Sequence, residues 1–237
     1  MTAEPQAASN VLAPLSGPHR RTAHQSVAAI LRSAILSGQL PGGMRLVQSG
    51  LAAQLGTSNT PVREAMRELA TEGLIELDSY RGAVVHSPSA AEILESYELC
   101  LLLEPLAMRK AVSHMTPEAL DAIRASAAEM RRIDDIGTYV EMNLRFHAEF
   151  HRAAASPRLE AILRSLHHTA TLYTAHSMRL GEHRGMRDSD NEHDEIVRAA
   201  EEGDADRAAG LVADHIRRTI DAVKSVMGTD GDVAPPR

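Results

Sequence analysis

The sequence predicts a mainly α-helical protein in two parts: an N-terminal winged helix-turn-helix of three helices plus a small β-hairpin wing, followed by an all-α antiparallel helical bundle. Three observations carry this expectation. Apolar residues recur at helical spacing along most of the 237 residues. Strand-like runs fall in one short stretch, residues 74–86, around a turn. Gly and Pro then punctuate the remainder into helix-sized pieces.

Residues 1–20 carry Glu4, Pro5, Pro14 and Pro18 without a continuous apolar stretch, so they read as a disordered arm and not as a secretory signal. The first domain is placed at 21–87. A short apolar helix runs through Leu51 and Ala52 to Leu55, and Gly56 turns the chain sharply with positive φ. The polar turn Thr57-Ser58-Asn59-Thr60 follows, and Pro61 suits the first position of the next helix, with Thr60 as its cap. Val62, Ala65, Met66 and Leu69 repeat at helical spacing and face inward, which leaves Arg63 and Arg67 one turn apart on the outer face. Glu72-Gly73 stops that helix. Residues 74–77 have strand character, 78–82 form a turn, and 83–86 are a second strand. The resulting hairpin has a cationic tip at Arg81 and Gly82. A helix opening with Ser58, Asn59, Thr60 and Arg63 suits a major groove, and such a wing suits a minor groove or backbone.

Charge is distributed accordingly. The chain as a whole carries −7. Between Arg20 and Arg67, however, six Arg (20, 21, 32, 45, 63, 67) face one acid, Glu64, a local +5. Residues 89–237 hold 18 basic and 26 acidic side chains, a local −8. A basic head meets phosphate, and an acidic body is kept from it. Only Lys110 and Lys224 are lysines, so cationic contact falls to Arg, which reads guanine bidentately. The single cysteine, Cys100, rules out an intrachain disulfide and fits a reducing compartment. No apolar run reaches membrane-spanning length. A cytoplasmic protein is expected.

The second domain is placed at 88–227, with 228–237 as a disordered tail. Ser89-Ala90-Ala91-Glu92 is a capping box opening a long helix to about Ser113. Thr116-Pro117 opens the next, with Leu120, Ile123, Ala127 and Met130 on one face. Gly137 breaks the pattern, and a third helix is expected over 138–155. Ser156-Pro157 starts a fourth to about Arg179, and 180–188 reads as a loop. Ser189-Asp190-Asn191-Glu192 is a second capping box, opening a helix that stops at Gly203. Asp204 caps the last, which ends near Met227. With two Phe, four Tyr and no Trp, the core must be Leu, Ile, Val, Met and Ala.

Three of the twelve histidines stand on apolar faces. Tyr139, Met142, Phe146 and Phe150 mark a stripe that also holds Asn143 and His147, spaced i, i+4. His193 shares a face with Ile196, Val197 and Ala200, and His215 lies among Leu211, Val212, Ile216 and Ile220. A polar ring on a buried face is costly unless satisfied. Each taken alone reads as a hydrogen-bonded core residue. Together, three imidazoles and an amide oxygen can share one divalent transition metal, zinc or nickel, inside the bundle. His151, one turn beyond His147, is a competing ligand. The remaining histidines, among them His19, His24, His167, His168, His176 and His183, lie in polar surroundings or near the N-terminus and are given no role.

The chain resembles GntR-family transcriptional regulators of the FadR-like branch, whose C-terminal ligand-binding domain is of the FCD type. The resemblance covers roughly residues 24–226. It rests on SAILSGQLPGGMRL, LAAQLGTSNTPVREAMRELATEGLIE and RGAVV in the head, and on ELCLLLEPLAMRKA, NLRFH, NEHDEIVRAAEEGD and ADHI in the bundle. It implies a homodimer, a palindromic double-stranded DNA operator, and a metal or small organic-acid effector in the bundle that changes DNA affinity, most often in a repressor. Matched position by position, it puts DNA contacts on Arg45, Ser58, Asn59, Thr60, Arg63, Arg67, Arg81 and Gly82, and metal ligands on Asn143, His147, His193 and His215. Four positions depart from the family pattern. Asn59 stands where Arg is common, Gly42 where Pro is frequent, and Asn143 where Asp is usual. Cys100 stands where an Arg pairs with an effector carboxylate, and Arg145 or Arg152 would have to replace it in effector binding.

Two rival readings follow from the same residues. A metal-dependent hydrolase would use the three-His site to activate water, with Glu192 or Glu149 as general base. It leaves the winged head without a purpose, so no enzyme is expected. A nucleoid-binding protein without effector would need the inward histidines to be simple core hydrogen bonds.

Overall fold

The computed structural model describes residues 12, 22–78, 82–179 and 186–229. Most of the expected N-terminal arm, the wing tip at Arg81, residues 180–185 and the tail from 230 lie outside the described residues. The described residues form nine helices and a small three-stranded sheet, a mainly α protein. Contacts divide the chain into two compact units between Pro88 and Ser89.

In the first unit, α1 (Ala23–Leu36) and α2 (Gln48–Leu55) both pack on α3 (Asn59–Thr71). Val27, Leu31, Leu51, Leu55, Val62, Ala65 and Leu69 form its buried core. Gly56 ends α2 in the left-handed region, at φ 66°, as its place after Leu55 requires. The next helix begins earlier than expected. Ser58, not Thr60, is its N-cap, and Pro61 falls inside the first turn. That position suits Pro as well, because the first four amides of a helix have no partner within it. The wing is also larger than a hairpin. Strands β2 (Ile75–Asp78) and β3 (Gly82–Val85) pair as expected, and β1 (Arg45–Leu46) joins the far side of β3 in the order β1-β3-β2. A two-residue strand is too short for any alternation to announce it. At Gly42, a Cβ would lie 3.0 Å from Ser87 Cβ, so the glycine allows the chain entering β1 to press against the strand exit.

The second unit is the antiparallel bundle. Helix α4 (Ala90–Ser113) packs against α6 (Ile136–Ala153), α7 (Pro157–Arg179) and α9 (Ala205–Thr229), while α5 (Pro117–Met130) packs on α6 and α8 (Met186–Glu201). Ser89 and Glu92 form the capping box that opens α4, and Thr116 caps α5 with Pro117 first in the helix. Four expectations shift. Gly137 lies within α6, because Asp135 caps the helix and accepts the Thr138 amide and hydroxyl. Ala155, expected as the last residue of that helix, lies beyond α6 at φ 49°. Ser189-Glu192 opens nothing, because α8 already starts at Met186 and runs through it. Asp204 does cap α9, accepting the Arg207 amide, but that helix runs to Thr229, past the expected end. The core gathers Met108, Ile123, Met130, Phe146, Phe150, Leu163 and Ile196.

Candidate nucleic-acid interface and histidine cluster

The first candidate site is in the head. Helix α3 buries Val62, Ala65, Met66 and Leu69, which forces Arg63 and Arg67 outward. Pairing of β1 with β3 sets Arg45 opposite Val84, and a concavity is lined by Arg45, Gln48, Arg63, Arg67 and Gly82. Gln48 Nε2 donates to the Asn59 carbonyl at 2.7 Å, tying the start of α2 to the start of α3. Ser58, Asn59 and Thr60 are exposed there, at the positive end of the helix dipole. Among the described residues, Arg45, Arg63 and Arg67 have no acidic partner within ion-pair distance. Arg32 differs. Its guanidinium bonds Glu72 at 2.7 and 2.8 Å and Glu68 at 3.1 Å, which locks α1 to α3, so it is a structural cation. Three outward arginines beside an exposed helix N-terminus can bind phosphate and base edges.

The second candidate site is inside the bundle. Helices α6, α8 and α9 bring His147, His193 and His215 together, each offering one nitrogen within 4.8 Å of the others. All three side chains are buried. Ring centroids are 4.8 Å apart for His193 and His215, and 5.5 Å for His147 with either. His215 Nδ1 lies 2.7 Å from Glu192 Oε2, a carboxylate placed to orient the ring. Burial, and next the neighbouring His167, hold the His147 imidazole well below its ordinary range, which keeps it neutral. Asn143 is half-buried one turn before His147 on α6.

The positions weighed for an effector separate. Cys100 is buried on α4, and burial followed by the Glu104 charge pushes its thiol well up. Arg145 lies within 3.8 Å of Glu129 and Glu149, and Arg152 pairs with Glu149; both arginines are exposed, and neither is brought to the histidines.

A second group lies next to the first and was not foreseen. Glu104, His151 and His167 each offer a ligand atom within 4.8 Å of the others. His167, given no role from its polar neighbours, is largely buried with its ring centroid 5.1 Å from His147. A signal existed for Glu104: it sits one turn from Cys100 and Met108 on the buried face of α4, a carboxylate on an apolar stripe.

Comparisons with known proteins agree with both halves. The bacterial regulatory protein gntR family matches residues 23–85, and the FCD domain matches 95–218. A protein of Paenarthrobacter nicotinovorans named "Probable D-xylose utilization operon transcriptional repressor" is 30% identical over 207 residues, 86% of this chain and 89% of that one. An "Uncharacterized HTH-type transcriptional regulator" of Mycobacterium tuberculosis is 31% identical over 141 residues, 60% of this chain; the match spans only 57% of that relative's length. A crystal structure of a GntR family transcriptional regulator from Pseudomonas syringae pv. tomato aligns over 90% of both chains at 25% identity, with a TM-score of 0.54. The architecture joins a gntR-type winged helix-turn-helix to a helical FCD domain. The chain belongs to the GntR family and carries an FCD domain.

Proposed function

We propose that the protein is a ligand-responsive repressor that binds a palindromic operator as a homodimer, with a metal and a small-molecule effector in the helical domain modulating DNA affinity. The observation that carries the DNA reading is the concavity in which Arg45, Arg63 and Arg67 stand, among the described residues, without acidic partners beside the exposed start of α3. Ser58, Asn59, Thr60 and Arg63 would read bases, Arg45 and Arg67 would hold phosphates, and the wing at Arg81 and Gly82 would follow the backbone. The repressor reading draws on the name of the Paenarthrobacter relative. The dimer reading draws on Leu99, Leu102 and Leu106, an i, i+3, i+7 apolar stripe on α4 that is 40, 72 and 46% exposed. A second copy of the chain is its proposed occupant.

The donor set fits a transition metal. His147 Nδ1 is buried with no hydrogen-bond partner among the described residues, and Glu192 orients His215 as an outer carboxylate orients a ligating imidazole. Asn143, His147, His193 and His215 would hold the ion, and FCD domains often bind metal. Bound there, a divalent ion would cross-link α6, α8 and α9 and present a Lewis-acidic centre to an effector oxygen. An effector, of organic-acid class, would shift operator affinity only by binding the DNA-bound and free forms unequally.

The test is selection of bound genomic fragments by the purified protein, with zinc present, at physiological salt. Recovery of a short inverted repeat is the expected result. Sequence-blind, salt-sensitive binding alone would sink the regulator reading and favour a nucleoid-type role.

A further inference from the structure

We propose that Glu104, His151 and His167 form a second divalent transition-metal site in the bundle, distinct from the His147, His193 and His215 cluster. The argument begins with Glu104. Its carboxylate is 1% exposed, on a face of α4 otherwise made of Cys100, Ala107, Met108 and Ala111. A carboxylate buried among apolar groups needs cationic or hydrogen-bonding partners on both oxygens. It has them on one only. His151 Nε2 lies 2.7 Å from Oε1, and His167 Nε2 bonds the same Oε1, while Oε2 is buried with no partner among the described residues. The two imidazole nitrogens come from α6 and α7, 47 and 63 residues away along the chain, yet converge on one oxygen. That convergence leaves the second oxygen unmatched.

A cation resolves the mismatch. Two imidazole nitrogens and a carboxylate are the ligand set of many zinc and non-haem iron sites, where three protein donors leave further positions open. In such a site the ligand atoms stand about 3.3 Å apart around a tetrahedral ion. The three atoms here already lie within 4.8 Å, two of the pairs in hydrogen-bonding contact, so side-chain adjustment suffices. Metal would replace the proton on each Nε2 and could engage either carboxylate oxygen. His167, with 15% of its side chain exposed, offers a route for the ion to enter. The site has its own ligands and does not depend on the first cluster holding an ion, although the His147 ring touches both groups.

The experiment counts ions. Full-length protein is stripped with chelator, reloaded with zinc, desalted, and its zinc per chain measured by mass spectrometry of the elements. Two ions per chain are expected for the wild type. His167→Asn and Glu104→Gln should each retain one, and His193→Asn should retain the other. One ion in the wild type, removed by His193→Asn and untouched by His167→Asn, would overturn the second site while leaving the first. A second ion retained in both His167→Asn and Glu104→Gln would also overturn it, and no ion at all would overturn both sites. If neither variant folds by circular dichroism, the wild-type count decides: two supports the proposal, and one overturns it.

Discussion

Arg63 and Arg32 carry the same charge, and what separates them is their partners. Arg32 spends its guanidinium on Glu72 and Glu68, whereas Arg63 faces outward beside Arg45 and Arg67. Arg63→Ala should therefore weaken operator binding by about 1–3 kcal/mol and relax preference at one base position, read by fluorescence anisotropy at matched salt. Unchanged affinity and preference would remove α3 from the groove. Arg32→Ala should instead lower stability by about 1.5–3 kcal/mol, through loss of the part-buried hydrogen bonds to Glu72 and Glu68 that tie α1 to α3, with a lowered denaturant midpoint as the readout. The sequence shows both as basic residues of the head; the partner distinguishes them, and Glu72 lies forty residues from Arg32.

At the scale of elements, periodicity was the reliable guide, whereas end signals held at Gly56, Ser89, Thr116 and Asp204 and failed elsewhere. The apolar positions Val62, Ala65, Met66 and Leu69 are all buried, and so are Ile123, Ala127 and Met130. Local capping signatures failed where a competing start lay a few residues upstream: Asp135 supersedes Gly137, and Met186 supersedes Ser189. A Ser-x-x-Glu string costs little inside a helix, so packing decides whether it caps anything. Gly56 is different, because its φ of 66° is a property no other residue shares cheaply. A Cβ there meets nothing within 4 Å, so Gly56→Ala should cost about 1 kcal/mol from backbone strain alone, measured as a shift in chemical denaturation. A neutral result would mean the α2–α3 turn adopts another conformation.

At the scale of the whole molecule, two expectations concern assembly and metal. Leu102→Glu places a charge at the centre of the exposed α4 stripe and should convert a dimer to a monomer in sedimentation, with a loss of operator affinity. A wild-type protein that sediments as a monomer would remove that interface. Stripping metal should lower the melting temperature, since an ion at a hundred times its dissociation constant adds about 2.7 kcal/mol to the folded state. Restoring zinc should restore the melt, and an unchanged melt would separate the histidine cluster from any stabilising ion.

The sequence by itself determined the helix-turn-helix with its wing, the helical character of the rest, and the faces on which His147, His193 and His215 stand. It could do so because a helical repeat dictates which side of a helix is buried, and that information is local. It did not determine which buried faces meet. Cys100 was singled out for an effector by family position and Arg145 or Arg152 as its replacement, and the fold buries the first while pairing the other two with Glu149. Glu104, His151 and His167 were never grouped, and the packing of α4 against α6 and α7 brings them to one point. Side chains 47 and 63 residues apart become neighbours only when helices pack, and helix packing is a sum of many contacts that no local pattern records.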